Sequence, residues 1–334
     1  MSRIGIPRAL LYYQYYPMWQ TFFAELGAEV VVSPPTTEAM LTSGSSRVVA
    51  DTCLPVKIFL GHVLWLVDKC DSIFIPAIRS VRRNAYNCSK FLGLPDMTRA
   101  VIPESPLILE VEIDINRGKR RLYQAIYQIG RYCTPSPLKI RQAAMAALKT
   151  DTDYHRIMSG SNLTPPESID RLSSAAVLES EGNDEQTPPR NTVALIGHPY
   201  LLYDDYINHR LIHRLNQAHV RVLTPEMLSH DEIETAKAGL KNRGYWTYED
   251  EVVGAGKYYL ESGVDGVIGI MAFGCGPDSV MMEVVHQQAI KRRETPFMSL
   301  TLDEHTAETG IATRLEAFLD MINRRKRRQV TVCA

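Results

Sequence analysis

The stretch RIGIPRALLYYQYYPMWQTFFAELGAEVVVSPP, residues 3–35, decides the fold. Its first four residues, RIGI, predict a short buried strand. The segment YYPMWQTFFAELG (15–27) predicts an amphipathic helix that ends at Gly27, and AEVVVSPP (28–35) predicts a second strand. A strand, a crossover helix and a second strand form a βαβ unit with parallel strands. The chain therefore opens as an α/β protein.

The second half of the chain opens in the same way. TVALIGHP (192–199) predicts a strand, DDYINHRLIHRLNQA (204–218) a helix and HVRVLTP (219–225) a strand. Each half then continues with a helix and an apolar strand. In the first half the helix is predicted at 54–70 and the strand at 71–78; in the second half the helix is predicted at 248–263 and the strand at 264–273. Helices that alternate with apolar strands predict parallel sheets covered on both faces.

The two openings also share residues at matching places. Gly5-x-Pro7 precedes a Leu-Leu-Tyr sequence in the first half, and Gly197-x-Pro199 precedes another in the second. We therefore interpret the chain as two Rossmann-like domains, related by duplication, with a cleft between them. A chance similarity between two α/β openings is the alternative.

Composition places the domain boundaries. Residues 1–150 form the predicted N-terminal domain, which closes with helices at 116–133 and 137–150. Residues 151–190 are rich in Ser, Pro and acidic residues, which predicts a flexible linker. Residues 191–330 form the predicted C-terminal domain.

Charge and hydropathy exclude several classes of protein. The formal net charge of −1 gives no bias toward nucleic acid, and the apolar run IFLGHVLWLV (58–67) is too short to span a bilayer. The N-terminus lacks the features of a secretory signal peptide. We therefore expect a cytoplasmic protein whose six cysteines are reduced thiols.

Three of the cysteines fall where ligands bind in α/β proteins, at the carboxyl ends of strands and the starts of helices. Cys275 lies between Gly274 and Gly276, directly after the strand at 264–273, and Asp278 or Ser279 can cap the helix that follows. Cys88 lies in the loop after the strand at 71–78, and Cys53 lies at a helix start. We expect these three cysteines to face one cleft.

Known motifs do not settle what the thiols do. Cys70, Cys133 and Cys333 fit small buried hydrophobes or incidental thiols, and the chain has no C-x-x-C pair. The spacing of the cysteines therefore does not decide whether three of them share a metal site or remain unligated. The chain also lacks the G-x-G-x-x-G and G-x-x-x-x-G-K-[ST] motifs, so we expect no direct ATP site.

Several blocks of sequence carry a family resemblance, among them DTCLPVKIFLGHV, CSKFLGLPDM, FGCGPDS and LTLDEHTAETGIATRLEAFLDM. With these blocks the chain resembles the activase-related proteins of the 2-hydroxyacyl-CoA dehydratase group, which includes the double-cubane cluster proteins. The resemblance runs from residue 3 to about 322 and skips the linker. It implies that Cys53, Cys88 and Cys275 hold a [4Fe-4S] cluster, or part of a larger double-cubane cluster.

The resemblance also implies an activity and partners. The protein would be an iron-sulfur reductase or dehydratase, or a component of one, that accepts low-potential electrons from an ATP-dependent activase. It would pass them to a small substrate such as an acyl-CoA. Homodimers or heteromers are the implied assemblies.

Seven further residues are site candidates. Lys57 lies one turn beyond Cys53, and Arg79 lies between a strand end and Cys88; either could donate to the cluster or hold an anionic substrate. Glu304 and His305 follow the last apolar strand and could supply a proton. Gly274 and Gly276 would let a cluster approach the backbone, and His198 follows the strand at 192–199.

Two other functions are open. In the first, the three thiols and either His198 or His305 hold Zn²⁺ in a non-enzymatic module. In the second, the chain is a Rossmann-like small-molecule binding protein with unligated cysteines.

Overall fold

The computed structural model describes residues 2–173, 189–238, 240, 245–292 and 295–333. The strands in these ranges are β1 (Arg3–Ile6), β2 (Glu29–Val32), β3 (Ser72–Phe74), β4 (Ala77–Ser80), β5 (Leu107–Leu109), β6 (Glu112–Asp114), β7 (Asn191–Ile196), β8 (Val220–Leu223), β9 (Gly266–Ala272) and β10 (Phe297–Leu302). The helices are α1 (Tyr12–Glu25), α2 (Glu38–Ser45), α3 (Leu54–Leu66), α4 (Ser89–Leu92), α5 (Leu94–Val101), α6 (Lys119–Cys133), α7 (Pro137–Ser161), α8 (Pro165–Ser173), α9 (Pro199–Leu202), α10 (Leu211–Gln217), α11 (His230–Lys237), α12 (Glu249–Glu261), α13 (Gly276–Arg292) and α14 (Glu308–Cys333).

The strands form two four-stranded sheets and one two-stranded sheet, all parallel. The first sheet has the order β2-β1-β3-β5 and the second the order β10-β9-β7-β8, while β4 pairs with β6. This confirms the predicted α/β class with parallel sheets. In both large sheets the first strand of that half lies between the second and the third, an order typical of doubly wound sheets. The origin by duplication stays a prediction.

The strand predicted at 71–78 is two strands, because Pro76 interrupts it. A proline has no backbone N–H to donate to a neighbouring strand. On either side of it, Ile75 N donates to Leu109 O (3.1 Å) and Ala77 N donates to Val111 O (2.8 Å). The chain therefore leaves the first sheet at Phe74 and pairs with β6 as β4.

The helix predicted at 204–218 begins only at Leu211. The Asp204 carboxylate accepts from the backbone N–H groups of Tyr206 (3.1 Å) and Ile207 (3.2 Å), which stabilises a turn instead of a helix. His209 and Arg210 then take positive φ angles of 54° and 58°, which interrupt any helix that passes through them. Apolar periodicity does not report either feature.

The first part of the predicted linker is helical. Helix α7 continues to Ser161 because Tyr154 and Met158 are buried, and the Tyr154 hydroxyl donates to Tyr13 O (2.6 Å) on α1. Helix α8 follows directly. The rest of the predicted linker, from 174 to 188, lies outside the described residues. The domain boundaries at 150 and 190 stay a prediction.

The two halves pack directly against each other. A single hydrophobic core contains residues of the first sheet, such as Ile73, together with Leu195 and Ile268 of the second, all of them fully buried. The Tyr13 hydroxyl donates to Tyr203 O (2.7 Å) across the two halves. In the described part of the chain, no helix combines the length and apolar character needed to cross a bilayer.

Helices α2 and α3 cross at two glycines. A Cβ atom on Gly61 would lie 2.1 Å from Met40 O, and one on Gly44 would lie 1.9 Å from Lys57 O. Both positions therefore require glycine for backbone contact between the helices. This close packing holds α3, whose first turn begins at Cys53.

Candidate functional site

Each of the three candidate cysteines lies at the start of a helix. Cys53 is the N-cap residue of α3, with Pro55 in the first turn, and Cys88 is the N-cap residue of the short helix α4. Cys275 directly precedes α13, and its carbonyl accepts from Ser279 N (3.2 Å). The extended ψ angles of Cys53 (145°) and Cys88 (150°) are those of N-cap residues, so the backbone turns sharply at each thiol.

All three cysteines line one cavity, which we call the thiol cavity. It has an empty volume of about 540 Å³, including its open mouth. Leu10, His198 and Cys275 line it after β1, β7 and β9, so the cavity lies at the carboxyl edges of both large sheets. The three cysteines that we expect to face one cleft all line this cavity, and their role as ligands stays a prediction.

Gly274 brings the segment of Cys275 against that of Cys53. Gly274 has a φ of +76°, and a Cβ atom there would lie 3.2 Å from Cys53 Cα. Beside it, Leu54 N donates to Phe273 O (3.4 Å). A Cβ atom on Gly276 would meet nothing within 4 Å. The contact between these two segments therefore explains why residue 274 is a glycine. No packing contact explains the glycine at position 276.

Burial raises the pKa values of two of the thiols. For Cys275 the upward shift comes from burial and from the nearby Asp278 carboxylate. For Cys88 burial outweighs the opposite effect of hydrogen bonds from the backbone N–H groups of Lys90 and Phe91. Both thiols are therefore protonated at neutral pH, and neither is a nucleophile without a positive partner.

A buried histidine–aspartate pair adjoins the thiols. His198 Nδ1 lies 2.5 Å from Asp278 Oδ1, and both side chains are more than 90% buried. Asp278 Oδ2 also accepts from Ala272 N (2.9 Å), and the His198 ring stacks on Tyr200 with 4.9 Å between centroids. We expect Asp278 or Ser279 to cap α13, but the Asp278 carboxylate turns back toward Ala272 N and the imidazole.

Sequence reasoning missed the aromatic wall of the cavity. Tyr86, Tyr200, Trp246 and Tyr248 all line it. The loop that carries Trp246 is tied to the loop before Cys88, because Tyr86 N donates to Tyr245 O (3.0 Å) and Thr247 N donates to Tyr86 O (2.9 Å). These loops pair over a long sequence separation and have no periodic pattern. Among these four residues, Tyr200 could have been found from the sequence, because it lies two residues after His198 at the end of a predicted strand.

The three predicted catalytic residues are not among the residues that line the thiol cavity, and two of them, Lys57 and Glu304, contact each other. Lys57 Nζ donates to Glu304 Oε1 (2.6 Å) and to Ala50 O (2.8 Å), and the lysine is only 2% exposed. His305 is exposed, and its backbone N–H donates to Asp303 (3.0 Å). Neither Lys57, Glu304 nor His305 is among the residues that line the cavity.

Arg79 is also engaged outside the cavity. It is 40% exposed and forms ion pairs with Glu112 (3.3 Å) and Asp114 (3.7 Å). Within the described ranges, no three His, Cys, Asp or Glu side chains are grouped closely enough to hold a single metal ion. A site for one Zn²⁺ ion built from the thiols with His198 or His305 therefore finds no support in this geometry.

Comparison with known proteins identifies a domain. A family model described as a CoA enzyme activase uncharacterised domain matches residues 3–228, more than half of the chain. No curated protein matches the chain.

Proposed function

The chain belongs to the family of the CoA enzyme activase domain, and from this premise we propose that it is an iron-sulfur component of an acyl-CoA enzyme system. In the proposal, Cys53, Cys88 and Cys275 hold a [4Fe-4S] cluster in the thiol cavity. The protein resembles the subunits of 2-hydroxyacyl-CoA dehydratases in this respect. It accepts electrons from an ATP-dependent activase and passes them to a small substrate.

The observation that carries the proposal is the meeting of three thiols from distant parts of the chain in one cavity. Of the other cysteines, Cys70 and Cys133 are not among the residues that line the cavity. The N-termini of α3 and α13 carry partial positive charge that stabilises an anionic group beside Cys53 and Cys275. Near Cys88, backbone N–H groups supply the same kind of stabilisation.

We propose a cluster rather than a single ion for this set of thiols. Each thiolate that binds a cubane binds a different iron, so the ligand sulfurs lie farther apart than the ligands of a single ion. In the proposal each of the three thiols binds a different iron of one cubane, and their shared cavity supports this. When bound, such a cluster supplies one-electron transfer at low potential.

The other residues of the cavity have roles that follow from their positions. Tyr86, Trp246 and Tyr248 exclude water from the thiols. Lys90 places a cationic side chain in the lining, where it offsets negative charge. His198 is held by Asp278 in one orientation, with Nδ1 toward the carboxylate.

Four predicted residues enter the proposal at the border of the site. Lys57 N donates to Cys53 O (3.3 Å), so the ion pair with Glu304 ties the segment after β10 to the helix that begins at the cysteine. His305 and Arg79 are solvent-accessible groups that could meet a substrate or a partner protein. A fourth cluster ligand would be water, a sulfur species, a substrate oxygen or a non-cysteine side chain, since the described lining contains three cysteines.

Anaerobic purification of the full chain tests the proposal. We expect a brown protein with about four irons and matching acid-labile sulfide per chain. Cys53→Ser, Cys88→Ser and Cys275→Ser should each remove most of the iron and the visible absorption. Cys133→Ser is the matched control, because Cys133 is partly buried at the end of α6 away from the cavity lining.

Each outcome of this experiment has a clear meaning. Equal iron loss in the control and in the three cavity variants contradicts the ligand assignment. Colourless protein that contains zinc supports the non-enzymatic alternative. Metal-free protein after anaerobic reconstitution with iron and sulfide supports a small-molecule binding protein with unligated cysteines.

A further inference from the structure

A second cavity lies between α1, α7 and the segment before α11. Its empty volume is about 990 Å³ including its mouth, almost twice that of the thiol cavity. We call it the Gln14 cavity, and its polar lining includes Gln14, Tyr15, His155, Glu226, Tyr248 and Glu251. None of the three cluster cysteines lines it. It is large enough for a small organic molecule.

Gln14 is the first sign that the cavity takes a ligand. The residue is 9% exposed, and neither the oxygen nor the nitrogen of its amide has a hydrogen-bond partner among the described residues. A buried amide without partners costs free energy comparable to one lost hydrogen bond at its oxygen and another at its nitrogen. A glutamine on a buried helix face that lines a cavity is therefore suited to a polar partner inside that cavity.

Two carboxyl groups line the cavity with this amide. Glu226 and Glu251 line the cavity beside Tyr15, and burial together with the charge of Glu251 raises the pKa of Tyr15. Glu226 Oε2 accepts from the Tyr203 hydroxyl (2.5 Å), which holds it in place. Burial also raises the pKa of Glu226, and a bound cation would lower it again.

Arg82, His155 and His230 are the basic residues in the described lining, and the first two already face carboxylates outside it. Arg82 lies 3.3 Å from Glu234, and His155 Nε2 lies 3.9 Å from Asp151. The rings of Tyr13, Tyr15 and Tyr248 supply aromatic surface, which favours a cation over an anion. The amide oxygen and the carboxylates can accept hydrogen bonds from an ammonium group, and the aromatic rings favour its positive charge. A short apolar chain would complete such a ligand.

We propose that the Gln14 cavity binds a small organic amine, with the Gln14 amide oxygen and the carboxylates of Glu226 and Glu251 as acceptors. The apolar part of the ligand contacts Met158, Leu228 and Ile233, which also line the cavity. This site is separate from the thiols and does not depend on iron. Tyr248 lines both cavities and is the wall between them.

Isothermal titration of the full chain with 1,4-diaminobutane tests the proposal, with butanoate as the anionic comparison. We expect the diamine to bind and butanoate not to bind. Gln14→Leu and Glu226→Gln should each weaken diamine binding about tenfold or more, because each removes a hydrogen bond to a charged group. Gln124→Leu, an exposed glutamine on α6, is the matched control and should bind as the wild type does.

A second pair of variants tests the location without changing the buried groups. His155 is exposed at the edge of the cavity, so His155→Trp should hinder entry while the fold is retained. Arg156→Trp, at the next and more exposed position, is its control. Absence of diamine binding in the wild type, stronger binding of butanoate, or unchanged binding in Glu226→Gln and His155→Trp would each overturn the proposal.

Discussion

A chain of buried hydrogen bonds joins Arg8, Ser33, His62, Thr36 and Asp204. Arg8 N donates to Ser33 Oγ (2.8 Å), Ser33 Oγ lies 2.8 Å from His62 Nδ1, and His62 Nε2 lies 2.9 Å from Thr36 Oγ1. The Thr36 hydroxyl donates to Asp204. Every donor meets an acceptor when His62 is neutral with its proton on Nε2 and Asp204 is ionised. This chain links the two halves of the protein.

Two titratable groups of this hydrogen-bond chain, His62 and Asp204, have opposite effects on the stability of the fold. Burial, with the charge of Arg8, lowers the pKa of His62 to about 4, so its contribution is lost as the pH falls from about 6.5 toward 4. Burial raises the pKa of Asp204 to about 6, so the cost of its buried charge is relieved as the pH falls from 6 toward 3.8. Each effect is worth about 3 kcal/mol, and in the wild type they largely cancel.

Asp204→Asn should expose the effect of His62. We expect the variant to lose about 2–3 kcal/mol more of its free energy of unfolding than the wild type between pH 6.5 and pH 4, because only the histidine then titrates. Urea unfolding at a series of pH values measures this. Asp205→Asn, at the exposed neighbouring position, is the control. Parallel pH profiles for Asp204→Asn and the wild type would contradict the argument.

At the scale of elements, the crossing of α2 and α3 depends on backbone contact. Gly61→Ala would place a Cβ atom against Met40 O, which cannot move without shifting α2. We expect a loss of about 1–3 kcal/mol in the free energy of unfolding, the usual cost of overpacking. Denaturant unfolding with circular dichroism measures it.

Gly160→Ala is the control for this prediction. Gly160 lies in α7, and a Cβ atom there meets nothing within 4 Å. Alanine in an open helix position should stabilise the protein by about 0.5–1 kcal/mol. If Gly61→Ala and Gly160→Ala give the same change in the free energy of unfolding, the close contact of α2 with α3 does not determine the packing of this region.

At the scale of the whole molecule, the larger of the two hydrophobic core clusters contains residues of both halves, so we expect the halves to unfold together. Scanning calorimetry should show one transition. Tyr13→Phe, which removes the buried hydrogen bond to Tyr203 O, should lower the stability of that transition by about 1 kcal/mol. Two separate transitions, with only one affected by the variant, would show that the halves fold independently.

The sequence by itself determined the α/β class, most of the strands and helices, and the positions of Cys53 at a helix start and of Cys275 before another helix. Apolar periodicity and N-cap geometry are local, so a few neighbouring residues suffice to predict them. The breaks at Pro76 and at Asp204 are local as well, but they depend on hydrogen bonds that periodicity does not report.

Only the tertiary structure decided which side chains meet. It paired Lys57 with Glu304 away from the cavity lining, paired His198 with Asp278 beside the thiols, and placed Trp246 over the loop of Cys88. These contacts join residues far apart in the chain. Their choice depends on how the two sheets pack and on which buried polar groups need partners, and neither is encoded in the spacing of nearby residues.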